Sequence, residues 1–249
     1  MESHAGYKPT KIGIGTPGTL DPKRQLMKGC NTVAMNGKPM RADLEKLLEV
    51  EVVMANDANC FALAETRLGV VKEKFPAARV VFGVILGTGV GGGLVVEGKT
   101  IVGVQGIAGE WGHNYLDESG GQCYCGKSGC VEQVISGPAL EKYYFNQTGN
   151  RKPLKDIVAL ADSKVDPSAQ KTVIRLVEFF GKAISVIINM IDPDVIVIGG
   201  GVGNIDQLYD RGVDSVKQYV FNNGQLDTPI VKPFLGDSAG VFGAAFLVA

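Results

Sequence analysis

The chain has 249 residues, is 45% hydrophobic and 20% charged, and has a formal net charge of −1 from 25 basic and 26 acidic residues. Charges this evenly mixed argue against a nucleic-acid-binding surface, which needs a concentrated basic field. The chain has no apolar stretch long enough to span a membrane and no apolar signal segment near its start. Five cysteines, three of them clustered, favour a reducing compartment, so we expect a cytoplasmic protein.

The first third of the chain alternates short strands with helices. Residues 11–15 predict a strand that ends in a Thr-Pro-Gly turn, and residues 52–54 predict a second strand that ends at Asn56 and Asp57. The spacing of apolar residues predicts helices over 41–49 and 58–69. Asp57 therefore stands at a strand-to-helix junction. From its position alone, its simplest role is that of a helix N-cap.

A run of glycines follows the longest apolar strand. Residues 80–86 predict a strand buried on both faces, and residues 87–93 have the sequence GTGVGGG, followed by a hairpin that turns near residues 97–99. A glycine-rich turn can present amide N–H groups to phosphate oxygens. It is not a Walker loop, because no Lys-Ser or Lys-Thr follows, and it is not a Rossmann turn, because no helix follows. Taken alone, this turn is a weak signal.

Residues 108–132 hold the densest set of reactive side chains, in the sequence AGEWGHNYLDESGGQCYCGKSGCVE. Three sulfurs and one imidazole are a set that tetrahedral Zn²⁺ accepts. The predicted zinc ligands are His113, Cys123, Cys125 and Cys130. Four protein ligands leave no open position on the ion, so we expect the metal to hold the loop together while the flanking carboxylates, Glu110 and Glu132, serve the chemistry. Cys30 and Cys60 are expected to be free thiols.

The second half of the chain is mainly helical. Helices are predicted from residue 136 through Tyr144, over 153–161, over 167–191 and across 204–221, with a small-residue helix at the C-terminus. The helix over 167–191 is apolar nearly all round, which predicts a central buried helix. Residues 194–198 predict a buried strand that runs into Gly199–Gly201. Alternating strands and helices predict an α/β protein, in which the turns after Val53, Leu86 and Ile198 could converge on one crevice.

Eight motifs together resemble the ROK family of bacterial sugar kinases, members of the actin-like ATPase superfamily. They are IGIGTPG (12–18), ANDANCFALAE (55–65), ILGTGVGGGL (85–94), GIAGEWGHN (106–114), CYCGKSGCVE (123–132), SGPALEKYY (136–144), DPDVIVIGGG (192–201) and GDSAGVFGAAFL (236–247). The resemblance implies a two-lobe, ribonuclease H-like α/β fold. We expect a small lobe over 1–78, on which a helix over 237–249 packs back, and a large lobe over 79–236 with a zinc loop over 110–132.

The resemblance also implies roles for individual residues. Asp57 corresponds to the general base that takes the proton of the attacking sugar hydroxyl. The positions that match the family's sugar contacts are Asn56, Glu110, His113 and Glu132, with His113 binding zinc through one ring nitrogen and sugar through the other. Thr88 and Gly89 match a phosphate-binding turn, and Gly199, Gly200 and Gly201 match the adenosine-binding turn. ATP, Mg²⁺, structural Zn²⁺ and a homodimer are implied with them.

One family segment is not found in this sequence. Family members begin with a strand and turn of the form D-x-G-G-T-K that grips the ATP phosphates, whereas this chain starts just before IGIGTPG. We therefore expect a small lobe that is incomplete at its N-terminus and little or no kinase activity from these 249 residues alone.

Several functions stay open at this point. The leading hypothesis is ATP-dependent phosphorylation of a hexose, of the fructose or glucose type, at its 6-hydroxyl. An N-acetylglucosamine kinase is the alternative substrate assignment, based on NGKPMRADLE and NDANCFALAE. The body of a sugar-sensing ROK transcriptional repressor is a second class, although Asp57 is present and no basic helix-turn-helix is seen. A catalytically inactive sugar-binding or assembly module is a third class.

Overall fold

The structure, a computed structural model, describes residues 9–249. Its N-terminal part contains a parallel pair of strands, a small hairpin and one helix. In order these are β1 (Lys11–Thr16), β2 (Thr19–Leu20), β3 (Met27–Lys28), α1 (Met40–Leu48) and β4 (Glu51–Asn56). β1 pairs in parallel with β4, with Thr16 opposite Asn56, and β2 pairs antiparallel with β3. The ends of β1 and β4 therefore lie side by side, next to the start of the following helix.

The main sheet has five strands in the order β7-β6-β5-β8-β9. Its members are β5 (Val80–Leu86), β6 (Val90–Val96), β7 (Lys99–Thr100), β8 (Val195–Gly199) and β9 (Ile230–Val231). β5, β8 and β9 run in parallel, whereas β6 and β7 are antiparallel to their neighbours. Because β5 and β8 are adjacent and parallel, the turns that follow them emerge at the same edge of the sheet.

Nine α-helices are found among the described residues. They are α1, α2 (Asp57–Arg67), α3 (Val70–Lys74), α4 (Val131–Ile135), α5 (Gly137–Thr148), α6 (Leu154–Asp162), α7 (Pro167–Ile191), α8 (Arg211–Tyr219) and α9 (Ala239–Phe246). Short 3₁₀ turns cover Val33–Met35, Trp111–His113, Glu118–Gly120, Val202–Asn204, Asp206–Leu208 and Gly236–Ser238. None of the helices within 9–249 combines the length and apolar character needed to span a bilayer.

The core lies on both faces of the main sheet. Alternate residues of β5 point to opposite sides, as the pleat of a strand requires: Phe82 and Val84 join the apolar cluster that contains α7, while Val81 joins the cluster that contains α2. This confirms the prediction of a strand buried on both faces. It also explains the unbroken apolar sequence of β5 and β8.

α2 lies against the main sheet at very short range. An added Cβ at Gly93 would come within 2.3 Å of the Ala58 carbonyl oxygen. Residues 91–93 lie inside β6, and Gly91 and Gly93 make room for the helix. This corrects the expectation that the whole GTGVGGG run forms one ligand-binding turn. Only residues 87–89 remain as the turn itself.

The C-terminal helix α9 packs on α2 and β1. That contact agrees with the sequence expectation for residues 237–249, while the division of the chain into lobes at residue 78 stays a prediction.

Two other expectations are wrong. α7 is buried on one face only, because Ile174, Val186 and Met190 are exposed, the last by 77%. The region 204–221 is not one helix: Asp206–Leu208 forms a 3₁₀ turn, and only Arg211–Tyr219 is α-helical.

Candidate active site

Asp57 is the first residue of α2, directly after β4. The helix is capped by the residue before it: the buried Asn56 side chain accepts the N–H of Asn59 at 2.8 Å. The N-cap role that the sequence suggested for Asp57 therefore belongs to Asn56. The Asp57 carboxylate accepts a hydrogen bond from the N–H of Ala58 at 2.8 Å, and Asp57 is exposed to solvent.

The protein around Asp57 changes its acidity. Surrounding atoms displace part of the bulk water, and this desolvation raises the pKa of the Asp57 carboxyl, while the N–H of Ala58 partly opposes the shift. A carboxylate with a raised pKa holds a proton more readily than an ordinary surface aspartate. Asp57 is thus better suited to accept a proton from a bound hydroxyl.

Glu110 is brought to Asn56 from a distant part of the chain. The Nδ2 group of Asn56 donates to Glu110 Oε1 at 3.2 Å across 54 positions of sequence. The residue after Glu110 anchors this segment, because buried Trp111 donates its indole N–H to the Ala183 carbonyl of α7 at 3.1 Å. Desolvation raises the pKa of Glu110, and the negative charges of Asp57 and Glu132 raise it further. His113 and the hydrogen bond from Asn56 act in the opposite direction. Because the charges of Asp57 and Glu132 act on Glu110, the three carboxylates lie near one another.

Glu132 lies in the first turn of α4 and links two parts of the site. Its Oε2 atom accepts the N–H of Val90 at 3.0 Å, at the start of β6. The sequence placed Glu132 among the sugar contacts, whereas here one carboxylate oxygen holds the glycine turn. The same carboxylate oxygen lies beside Gly89, where an added Cβ would be 2.7 Å from it.

The four predicted metal ligands come together. One donor atom from each of His113, Cys123, Cys125 and Cys130 lies within 4.8 Å of the others. Cys123 Sγ is 3.6 Å from His113 Nδ1, and Cys125 Sγ is 3.6 Å from Cys130 Sγ. Thiolate sulfurs at about 2.3 Å from a tetrahedral Zn²⁺ are separated by roughly 3.8 Å, so the spacing fits that ion.

The second ring nitrogen of His113 has a protein partner. His113 Nε2 lies 2.9 Å from the Tyr124 hydroxyl, and the two rings meet edge to face with centroids 5.1 Å apart. The sequence expected this nitrogen to face a sugar hydroxyl. Tyr124 was not among the predicted site residues, although its position between Cys123 and Cys125 was a signal that could have identified it.

A cavity of about 800 Å³ is lined by residues of this loop and of the N-terminal part of the chain. Glu110, His113 and Tyr124 line it. So do Lys28, the last residue of β3, and the segment after it, with Gly29, Cys30, Val33 and Asn36. That segment is held in shape because Asn36 and Cys30 exchange hydrogen bonds: the Cys30 N–H donates to Asn36 Oδ1 at 2.9 Å, and Asn36 Nδ2 donates to the Cys30 carbonyl at 3.1 Å.

A second cavity, of about 850 Å³, lies where β5 and β8 end. Thr88 and Gly201 line it, and an added Cβ at Gly87 would approach the Gly201 nitrogen at 3.7 Å, so the two predicted turns do meet. Gly200 has φ +84, and an added Cβ there would lie 2.5 Å from the Leu86 carbonyl oxygen. This turn therefore requires glycine to pass so close to β5.

The other predicted glycines have different surroundings. Gly199 is the last residue of β8, and an added Cβ would point at the Phe61 ring, 2.7 Å away. Gly89 faces Glu132.

Residues from α5, α6 and the 3₁₀ turns also line the second cavity, and sequence patterns did not single them out; they include Pro138, Lys155, Asn204 and Gln207.

Known proteins match this chain over almost its whole length. The profile of the ROK family matches residues 1–249. An N-acetyl-D-glucosamine kinase of Vibrio vulnificus (strain YJ016) is 38% identical over 247 residues, which cover 95% of this chain and 80% of that protein.

Solved structures agree with the sequence match. A ROK hexokinase from Thermus thermophilus superposes with a TM-score of 0.86 at 31% identity and covers 99% of this chain and 80% of that one. A ROK family glucokinase from Streptomyces griseus, in complex with glucose and AMPPNP, has a TM-score of 0.78 at 27% identity, with 97% of this chain and 82% of that one covered. The chain therefore belongs to the ROK family, as a sugar kinase with the actin-like ATPase fold.

Proposed function

We propose that the protein transfers the γ-phosphoryl group of ATP to the 6-hydroxyl of N-acetyl-D-glucosamine. The observation behind this proposal is the hydrogen bond that joins Asn56, the chain neighbour of Asp57, to Glu110, which lines the first cavity. A second cavity lies at the glycine turns that follow β5 and β8. This arrangement offers a proton acceptor, polar groups for sugar hydroxyls and backbone N–H groups for phosphates. Those are the parts that phosphoryl transfer to an alcohol needs.

Asp57 acts as the general base in this proposal. Its carboxylate is exposed at the start of α2, and its pKa is raised by desolvation. It accepts the proton of the attacking hydroxyl as the oxygen–phosphorus bond forms and the bond to the leaving ADP breaks. Phosphoryl transfer depends mainly on positioning and charge stabilisation, so one modest base is sufficient.

Asn56, Glu110, His113 and Glu132 bind the sugar. Glu110 and Asn56 are already joined by a hydrogen bond, so both are held in place before the sugar arrives. Glu132 keeps Oε2 on the Val90 N–H, while Oε1 accepts only a long hydrogen bond, 3.5 Å, from Gln133 Nε2 and can take a sugar hydroxyl in its place. A site with several such groups rejects analogues that lack the matching hydroxyl, because its own polar atoms would then lose their partners.

The glycine turns bind the nucleotide. Thr88 and Gly201 line the cavity of about 850 Å³, and in this proposal the turn of Thr88 and Gly89 lies near the phosphates and the turn that ends at Gly201 lies near the adenosine. The close approach of Gly200 to the Leu86 carbonyl, which requires glycine, holds this turn against the end of β5. ATP would bring Mg²⁺, which would neutralise negative charge on the phosphates.

Zinc, held by His113 and the three cysteines, has a structural role in this proposal. Four protein donors fill the coordination sphere, so the ion supplies no open position for substrate. Instead it ties the segment of Glu110 and His113 to that of Glu132. A homodimer and a cytoplasmic location remain predictions.

N-acetyl-D-glucosamine replaces a hexose of the fructose or glucose type as the first candidate substrate. The support is the relative with 38% identity, which is named for that sugar. Glucose stays a candidate, because a ROK glucokinase with 27% identity was solved with glucose. The repressor alternative is weakened by Asp57, since a sugar sensor has no need for a base.

The test is a comparison of three sugars. N-acetylglucosamine, glucose and fructose are each incubated with the protein, ATP and Mg²⁺, ADP release is followed, and the product is identified by mass spectrometry and phosphorus-coupled NMR. We expect the highest kcat/KM for N-acetylglucosamine, with the phosphate on oxygen 6. Transfer to glucose or fructose while N-acetylglucosamine stays unreacted would reverse the substrate order. Rapid turnover of any of the three would overturn the expectation of little or no activity from these 249 residues alone. If none of the three sugars were phosphorylated or bound, as measured by calorimetry, the proposed function would be contradicted.

A further inference from the structure

We propose that Tyr124 is a displaceable gate on the sugar site: its phenol occupies His113 Nε2 when no sugar is bound, and the sugar must displace it to bind. This inference rests on the proposed function, because it takes His113 as a sugar contact. It adds a residue that limits how tightly the sugar binds.

The geometry supports competition for one atom. The Tyr124 hydroxyl is 2.9 Å from His113 Nε2, and the side chains of both residues line the cavity of about 800 Å³. A sugar hydroxyl that bonded to His113 Nε2 from this cavity would need the position that the Tyr124 oxygen now holds. Both cannot be at hydrogen-bond distance along the same N–H direction.

The position of the proton on the His113 ring also supports competition for Nε2. His113 Nδ1 faces Cys123 Sγ and belongs to the metal cluster, so a ring bound to metal through Nδ1 carries its proton on Nε2. Nε2 then donates one hydrogen bond, and Tyr124 accepts it through its oxygen. A sugar hydroxyl would accept the same bond in the same way.

Tyr124 is also placed so that it can move. Cys123 and Cys125 hold its backbone on both sides, but the residue is 54% exposed and its ring meets His113 only at an edge. A tyrosine side chain rotates about two bonds. It can therefore leave His113 without disturbing the thiol cluster and remain as part of the cavity wall.

The test is Tyr124→Phe, which keeps the ring and removes the competing oxygen. Binding of N-acetylglucosamine, glucose and fructose is measured by calorimetry and by the fluorescence of Trp111, the only tryptophan and a residue of the same cavity. We expect Kd for the bound sugar to fall about five-fold, the effect of one ordinary hydrogen bond, with zinc content unchanged. Tyr115→Phe is the matched control: Tyr115 is 69% exposed on the same segment, and its variant should bind as the parent does.

The possible results separate the gate from the proposed function. An equal or higher Kd in Tyr124→Phe would overturn the gate while leaving the kinase intact, and so would a loss of zinc, because Tyr124 would then be part of the metal loop's structure. Failure of all three sugars to bind either protein would overturn both. Nitrogen-15 NMR of the His113 ring gives a second readout: sugar should shift the Nε2 signal, and in Tyr124→Phe the sugar-free signal should already differ from that of the parent.

Discussion

The two sides of the candidate active site are built in different ways. The sugar side consists of side chains from distant segments: Asn56 reaches Glu110 across 54 positions, and Glu132 reaches Val90 across 42. The nucleotide side consists mainly of backbone at the ends of two adjacent parallel strands, β5 and β8. The sugar side therefore depends on which side chains are present and on what cross-links their loops. The nucleotide side depends on glycines, which leave room for the backbone to pass close to neighbouring strands.

The largest expected effect is on Asp57, the residue proposed as the general base. Asp57→Asn should lower kcat by about 10²–10⁴-fold, because an amide cannot accept the proton, while sugar Kd changes by no more than about threefold. Steady-state kinetics and calorimetry measure the two quantities. Asp43→Asn, at an exposed carboxylate on α1, is the control and should keep full activity. Turnover retained in Asp57→Asn would refute the base assignment.

Loss of the metal should affect the two sides unequally. Cys125→Ser, or treatment with a chelator, should release zinc and raise sugar Kd about 10–100-fold, since the loop that holds Glu110 and His113 loses its cross-link. ATP Kd should stay as in the parent. Elemental analysis gives the metal content, and Cys60→Ser, outside the cluster, should keep it. A parent protein without zinc, or equal weakening of sugar and ATP, would break the distinction between the two sides.

Glycine replacements in the nucleotide turns should weaken ATP binding and leave sugar binding unchanged. The Cβ added by Gly201→Ala would have no atom within 4 Å, so the free energy of unfolding should be unchanged. The added methyl group would nevertheless occupy part of the nucleotide cavity. We expect ATP Kd to rise about tenfold, the effect of roughly 1.4 kcal/mol, with sugar Kd unchanged. Calorimetry with each ligand is the measurement. A change in sugar Kd alone would contradict the assignment of this turn to the nucleotide.

Gly200 and Gly98 separate backbone strain from crowding. Both have positive φ, +84 and +70, but an added Cβ meets the Leu86 carbonyl at 2.5 Å only at Gly200. Gly98→Ala should cost about 1 kcal/mol of unfolding free energy, and Gly200→Ala about 3 kcal/mol. Denaturant unfolding compares them. Equal losses would mean that the turn at Gly200 can relax away from β5.

The smallest expected effect is on the pH dependence of stability. Because the pKa of Asp57 is raised above its ordinary value of 3.8, the folded state binds its proton more tightly than the unfolded state does, and stability falls as pH rises through the folded pKa. Asp57→Asn removes that cost, so the variant should unfold at a slightly higher temperature than the parent at pH 7. The difference should disappear below about pH 3, where Asp57 is protonated in both states. A constant difference at all pH values would assign the effect to packing instead.

Local patterns in the sequence were sufficient for much of the framework. The strand over 80–86 and the helix over 167–191 were predicted with the bounds that the structure shows, because apolar spacing and the prolines and glycines near their ends act within a few residues. The donor set His113, Cys123, Cys125 and Cys130 was also predicted, since its chemistry lies within one short segment. Asp57 was located at its strand-to-helix junction for the same reason.

The tertiary structure alone decided which groups meet and which stay free. No local period relates Asn56 to Glu110, or Glu132 to Val90, and these contacts turn separate residues into a site. The spacing of α7 showed that it is apolar, but only its neighbours determine that Met190 is exposed. Likewise, the motif around Tyr124 specified a metal loop, whereas the position of its phenol on His113 depends on how that loop folds. Sequence determines what each short segment can form, and packing over long distances determines which of its atoms are left for a ligand.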